Sequence, residues 1–172
     1  MNRTSFYLLF AVLLLAGCQT SIRFSVSGTI SHADGETLYL EHTQLTTTTI
    51  LDSCVLDGEG EFKLHAPSPE HPDFYRLRIG KRSLPLSVDS IEEIIVVSTR
   101  DSLPYTLSIQ GSEASLIMAQ LRATARTATR EELRKQAQEV IVSNPRSLAA
   151  YYAVFLKQGG EYIWNILDPA DR

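Results

Sequence analysis

From Ile22 to Gln110 the chain alternates apolar and polar residues, and after Gly111 the period changes to that of a helix. A period of two places successive side chains on opposite faces of an extended strand, whereas 3.6 makes an apolar stripe along a helix. Ile22, Phe24, Val26 and Gly28 alternate with Arg23, Ser25 and Ser27, and Thr29-Ile30 continue the run. Thr37–Leu40, Thr46–Val55, Glu61–Leu64, Phe74–Ile79, Ser83–Val88, Glu92–Ser98 and Tyr105–Ile109 read as further strands, separated by turn residues. Asp57-Gly58 lies between two of them and predicts a hairpin that returns along Glu61–Leu64, because Gly accepts the positive φ such a turn demands. Pro67, Pro69 and Pro72 mark a stiff, exposed connection. The fold expected is mostly β with C-terminal helices: an antiparallel β-sandwich or small barrel of about eight strands followed by two or three α-helices.

The helical part opens at Ser112 as N-cap, with Ala114, Ile117, Met118, Leu121, Ala125 and Ala128 on one face. Thr129 and Glu132 form a capping-box pattern ahead of Leu133, Ala137, Val140 and Ile141. Asn144-Pro145 is expected to cap a third helix with Leu148, Tyr152, Phe155 and Leu156 inward, ended by Gly159-Gly160. The tail carries Tyr162, Ile163, Trp164, Ile166 and Leu167, apolar enough to need a surface to pack on.

Residues 1–17 read as an address. Arg3 precedes an apolar run from Phe6 to Ala16, about eleven residues, which suits a signal-peptide core and falls short of the ~20 needed to span a bilayer. The run closes on Leu15-Ala16-Gly17-Cys18, which resembles a bacterial lipobox. That resemblance implies acylation of Cys18, cleavage before it, and anchoring without a membrane span. Each buried acyl methylene contributes ~0.8 kcal/mol, so a multiply acylated Cys is held permanently. Gln19 in place of Asp implies the outer membrane, and the absence of acidic residues in Thr20–Phe24 favours its periplasmic face. Four extended residues reach ~13 Å, so the folded part sits close to the lipid. The organisation expected is a lipoprotein signal peptide at 1–17, a β domain at 18–111, a helical extension at 112–160 and a tail at 161–172.

The strand Phe24–Ile30, Leu38-Tyr39-Leu40, Ile50–Ser53 before Gly60-Glu61-Phe62, Pro72–Leu77 and Tyr105–Ser112 together resemble one family. It is the N-terminal domain of unknown function that precedes a thioredoxin-like domain in envelope lipoproteins of the AhpC/TSA and thiol-disulfide oxidoreductase type. Asn144–Ala153 resembles that family's later linker helix. In the family a domain with a CxxC active site follows, and this sequence contains no CxxC. The resemblance therefore implies the fold and an envelope thioredoxin-like partner, without the oxidoreductase activity.

Composition and motifs narrow the chemistry further. A formal net charge of −4 gives no basic field, so nucleic acid is not an expected partner. Two Cys are too few for a disulfide framework or a Cys-rich zinc site. Cys54, mid-strand beside Asp52 and Asp57, reads as a packed inert thiol, with a mixed disulfide to a partner oxidoreductase as the alternative. His32, His42, His65 and His71 lack metal-ligand spacing, and Asp57, Glu59, Glu61, Glu92 and Glu93 read as solubilising charges. No GxSxG, phosphate loop or cofactor motif is found, so neither a cofactor nor enzyme activity is expected.

Arg122, Arg126, Arg130 and Arg134 recur every fourth residue. On one unbroken helix they would stack into a strip that is either a solvated face or a docking site for anionic lipid headgroups or an acidic partner. The function expected is a non-catalytic, outer-membrane-tethered binding or scaffold module associated with a thioredoxin-like system. The alternatives are a truncated remnant of a longer oxidoreductase lipoprotein and a carbohydrate- or peptide-binding sandwich.

Overall fold

The computed structural model describes residues 22–106 and 108–165. The leader, Cys18, Leu107, Ile166 and Leu167 lie outside the described residues. Seven main strands, β1 (Arg23–Ser31), β2 (Thr37–Thr43), β3 (Thr48–Val55), β4 (Glu61–Pro67), β5 (Asp73–Ile79), β6 (Arg82–Val88) and β7 (Glu93–Thr99), precede a two-residue β8 (Ile109–Gln110). Helices α1 (Glu113–Thr127), α2 (Arg130–Ser143) and α3 (Leu148–Val154) follow, then β9 (Lys157–Gln158) and β10 (Glu161–Tyr162).

The strands form two open four-stranded sheets, β4-β1-β7-β8 and β3-β2-β5-β6, which share one core between them. Alternation builds that core. Phe24, Val26 and Ile30 of β1, Leu64 of β4 and Ile94 and Val96 of β7 meet Leu38, Leu40, Leu77, Ile79, Leu84, Leu86 and Val88 of the other sheet, all buried. The mostly β sandwich with three helices behind it is the architecture expected from the periodicity.

Three local expectations are corrected. First, β3 and β4 do not pair: β3 pairs only with β2, and β4 with β1. After Val55 the chain is clamped to the preceding turn, with Leu56 N–H donating to the Glu36 carbonyl and Gly35 N–H to the Leu56 carbonyl. Buried Leu56 plugs the end of the sandwich, and the Asp57-Gly58 turn carries the chain over to the other sheet. An Asp-Gly pair specifies a turn, not which strand the returning segment joins. Second, the strand expected over Tyr105–Ile109 is cut back: a 3-10 turn occupies Leu103–Tyr105, and among the described residues only Ile109–Gln110 pair with β7. Third, Gly159 and Gly160, both at positive φ, form the turn of the β9-β10 hairpin and do not terminate α3, which stops at Val154 with Ser147 as its N-cap instead of Asn144.

One pair departs from antiparallel order: β1 and β7 run parallel, Ser25 through Ser31 opposite Glu93 through Thr99. Strand direction reverses at each turn, so the first and seventh strands point the same way. At their contact Gly28, φ +140°, lies so close to Val96 that a Cβ would fall 1.9 Å from the Val96 oxygen.

The helices close the open side of the sandwich. Ser112 caps α1, and Thr129 with Glu132 forms the capping box of α2, as the sequence predicts. Leu121, Leu133, Ala137, Ala153, Leu156 and Ile163 build a second small core among the helices and tail. The tail's Ile163 thus finds its packing surface, and Trp164 donates through Nε1 to the Ala153 carbonyl at 2.9 Å.

Candidate functional site

The strip of arginines is divided. α1 ends at Thr127 and α2 begins at Arg130, so Arg122 and Arg126 belong to one helix and Arg130 and Arg134 to the next. Arg126 lies 4.1 Å above the Tyr105 ring and Arg122 5.9 Å from it. Arg130 donates to the Tyr162 carbonyl and faces Glu161 at 3.6 Å. Arg134 donates to the Ile163 carbonyl at 2.6 Å and lies over Trp164 at 5.6 Å. Each guanidinium has a partner within the fold, and the second pair fastens the tail.

Cys54 is half-buried in β3 against the core and is a free thiol. Burial pushes its pKa up, and the charge of Asp52 adds to the shift. His42 Nε2 is 2.7 Å from Asp73 Oδ2, and its ring stacks on Tyr75 with centroids 4.9 Å apart. Burial, helped by Asp73, raises the Tyr75 pKa. Ser68 lines the cleft beside this pair, and its buried Oγ makes no hydrogen bond to the imidazole. Among the described residues no cluster of three or more His, Cys, Asp or Glu has the placement to hold a metal ion.

The outer face of the β3-β2-β5-β6 sheet holds a charge cluster that the sequence did not reveal. A register shift between β2 and β3 at Leu40/Glu41 leaves Leu51 as the extra residue of the bulge. Glu41, 2% exposed, accepts from Arg76 Nε at 2.6 Å and from Arg78 Nε at 2.8 Å. Arg78 also lies 4.3 Å above the Tyr39 ring. Burial pushes the Glu41 pKa up, but the bonds and charges of Arg78 and Arg76 outweigh it, and the carboxyl is held below its ordinary value. The hydrogen bond to Glu41 raises Arg78 in turn.

Beside this cluster, α3 leaves a groove against the sheet. One part, about 590 Å³, is lined by Thr43–Thr46, Asp73, Phe74, Leu148 and Tyr151. A second, about 310 Å³, shares Thr43, Phe74 and Tyr151 and adds Pro85, Arg122, Tyr152 and Phe155. A line of aromatic rings runs along it: Phe74 to Tyr151 at 5.8 Å, Tyr151 to Phe155 at 4.8 Å and Phe155 to Tyr162 at 6.5 Å. Tyr151, Phe155 and Tyr162 are each about half exposed. Phe155, expected on the inward face of its helix, is therefore corrected to a groove residue, since α3 ends one residue earlier and its axis no longer fixes that side chain inward. Burial raises the Tyr152 pKa against the opposing charge and hydrogen bond of Arg122.

The fold and groove together define a β-sandwich module with a helical flank. The chain belongs to the family described as Domain of unknown function (DUF4369), whose match covers residues 24–116, more than half of the sequence, from β1 to the first turn of α1. No curated protein matches it. Among solved structures, a 9R-lipoxygenase from Cyanothece PCC8801 aligns with 82% of this chain at 11% identity and a TM-score of 0.32. The aligned part is 32% of the lipoxygenase chain, and similarity at that level defines no common fold.

Proposed function

We propose that this chain is a non-catalytic module, anchored through acylated Cys18 to the periplasmic face of the outer membrane, that binds an extended apolar segment of an envelope thioredoxin-like protein. The observation that carries the binding role is the aromatic line Phe74, Tyr151, Phe155 and Tyr162 along the groove between the sheet and α3. Exposed aromatic rings bordering a concave apolar surface are the residue types that supply binding energy at protein interfaces. The interplanar angles of 43°, 43° and 74° deny a flat platform of the kind that stacks on sugar rings, which favours a peptide segment over a carbohydrate. The lipobox-like Leu15–Cys18 supports the anchor, and the resemblance to the domain that precedes thioredoxin-like domains supports the partner class.

The test is a photo-crosslinking amino acid at Tyr151 in the cell that makes the protein, with another at Gly58 as control. The expected adduct forms from position 151 alone, contains a protein with a CxxC thioredoxin-like domain, and is lost in Phe155→Ala. An adduct lacking such a domain, or the same adduct from both positions, overturns the reading. Palmitate labelling that is unchanged by Cys18→Ala overturns the anchor.

A further inference from the structure

Strand direction sorts the loops to two ends of the sandwich. β1 runs away from its start at Arg23, β2 runs back, and each later strand and helix reverses in turn. One end therefore carries Ile22, the β2-β3 loop with Leu45, the Pro67–Pro72 loop, the β6-β7 loop with Ile91, and the α2-α3 connection preceded by Val142. Hydrogen bonds tie parts of this end together: Ser68 N–H to the Ile22 carbonyl at 3.0 Å and Ser25 N–H to the Glu92 carbonyl at 2.9 Å. Asn144 and Ser147 line a common cleft with Asp89 and Glu92, which places the α2-α3 connection beside the β6-β7 loop.

The two ends differ in chemistry. Ile22, Leu45, Ile91 and Val142 are 62%, 98%, 64% and 73% exposed, all at the first end. The loops of the other end, 32–36, 56–60, 80–81 and 100–106, carry Asp34, Glu36, Asp57, Glu59, Lys81, Arg100 and Asp101 and no large exposed apolar side chain; beside them stands Val55, the last residue of β3, 68% exposed. Solvent-facing loop tips have no packing reason to be aliphatic at one end alone.

We propose that the end bearing Ile22, Leu45, Ile91 and Val142 rests on the lipid bilayer, with these four side chains set into its interface. The inference rests on the reading of Cys18 as the acylated anchor and adds an orientation to it. Only Gln19, Thr20 and Ser21 separate Cys18 from Ile22, a span of ~13 Å even when fully extended, so this end cannot leave the membrane surface. Glu70, Asp73, Asp89 and Glu92 share the end with Arg23 and Arg146, an excess of acid that fits a zwitterionic surface better than an anionic one. The orientation also lifts the first arginine pair away from the lipid. α1 starts at this end and rises ~20 Å before Arg126. The groove then begins at the Leu45 loop on the lipid and runs outward along α3 past Tyr151 and Phe155 toward the periplasm, where a partner can reach its far part.

The test uses the mature chain carrying Cys54→Ser and Trp164→Phe, coupled through the Cys18 thiol to a maleimide lipid in zwitterionic phosphatidylcholine vesicles. The chemical tether reads the orientation whether or not the cell acylates Cys18, and palmitate labelling reads the anchor separately. Tryptophan is introduced as Leu45→Trp, or as Gly58→Trp at the far end. Brominated acyl chains are expected to quench the first probe and leave the second unquenched. Ile22→Asp with Ile91→Asp is expected to bring the first probe to the level of the second, because each aliphatic group withdrawn lowers partitioning about tenfold. The serine pair Ile22→Ser and Ile91→Ser serves the same purpose if the charged variant does not fold. Equal quenching of both probes overturns the proposal, as does an unquenched probe at position 45. Contact that strengthens as anionic lipid is added also overturns it.

Discussion

Ser115 of α1 takes the place of a neighbouring strand for Ser87 of β6. Its Oγ accepts the Ser87 N–H at 2.9 Å and lies 2.9 Å from Ser112 Oγ, which donates to the Ser87 carbonyl at 2.9 Å. With Ser115 donating to Ser112, the three serines form a closed ring that satisfies both backbone groups of an edge strand and attaches the helix to the sheet. All three are buried, and the Ser115 hydroxyl is the group that receives the Ser87 N–H.

Ser115→Ala leaves the Ser87 N–H buried and unpaired, which costs about 1–3 kcal/mol. Urea denaturation should show a lower midpoint with an unchanged slope, since the exposed surface on unfolding is the same. An unchanged midpoint would mean that the ring contributes nothing to holding α1 on β6.

Glu41 ties Arg76 to Arg78, and its depressed pKa makes stability depend on pH. Because the folded value lies below the unfolded one, its contribution is present in full above the unfolded carboxylate pKa and is lost as pH falls through the folded value. Glu41→Gln should cost about 2–3 kcal/mol at pH 7, the low end for a broken buried pair because both arginines remain about a third exposed. Thermal unfolding followed from pH 7 downward should show the deficit shrinking in acid. A deficit that stays constant down to the acid limit would assign the loss to packing instead of charge.

Cys54 should react slowly. Burial first and the Asp52 charge second raise its pKa, so less thiolate is present at neutral pH than for an ordinary cysteine. In the chain with Cys18→Ala, a disulfide reagent at pH 7.5 is expected to modify the native thiol several-fold more slowly than the unfolded one. Asp52→Asn should recover only a minor part of that difference, because burial is the larger cause. Modification at the unfolded rate would revive Cys54 as a site for a mixed disulfide.

The parts of the fold legible in the sequence are those fixed by neighbours along the chain. Phe24, Val26 and Ile30 mark β1 by alternation, and Ser112 and the Thr129–Glu132 pair mark helix starts because each cap is satisfied within three residues. Partner choice was not legible. Asp57-Gly58 makes its turn as expected, yet Leu56 and the Ala33–Glu36 turn decide that the chain changes sheets. The groove depends on the same kind of distant relation. Phe74 and Tyr151 are 77 residues apart and become neighbours only once α1 and α2 have carried α3 back onto the sheet. Glu41 is hidden because the apolar alternation of the second strand stops at Leu40, while its arginine partners lie on β5. A buried acid opposite two arginines on an adjacent strand leaves no local periodic signal.

The parallel pairing of β1 with β7 rests on the absence of a side chain at position 28. Gly28 adopts φ +140°, a conformation open to glycine, and a Cβ there would lie 1.9 Å from the Val96 oxygen and 2.8 Å from its carbon. Both neighbours are backbone in a central pair of the sheet, so neither can swing aside as a side-chain end could. Gly28→Ala must therefore separate the two strands or distort β1, and it should destabilise by about 3 kcal/mol or more. Gly58→Ala is the matched control, with nothing within 4 Å of its added Cβ, and should fall within about 0.5 kcal/mol of the parent. Hydrogen exchange can locate the damage: the ladder from Ser25–Glu93 to Ser31–Thr99 should lose protection before the β2-β5 ladder does. Equal loss in both sheets would show that the sandwich opens as one unit and that the parallel pair is no weaker than the rest.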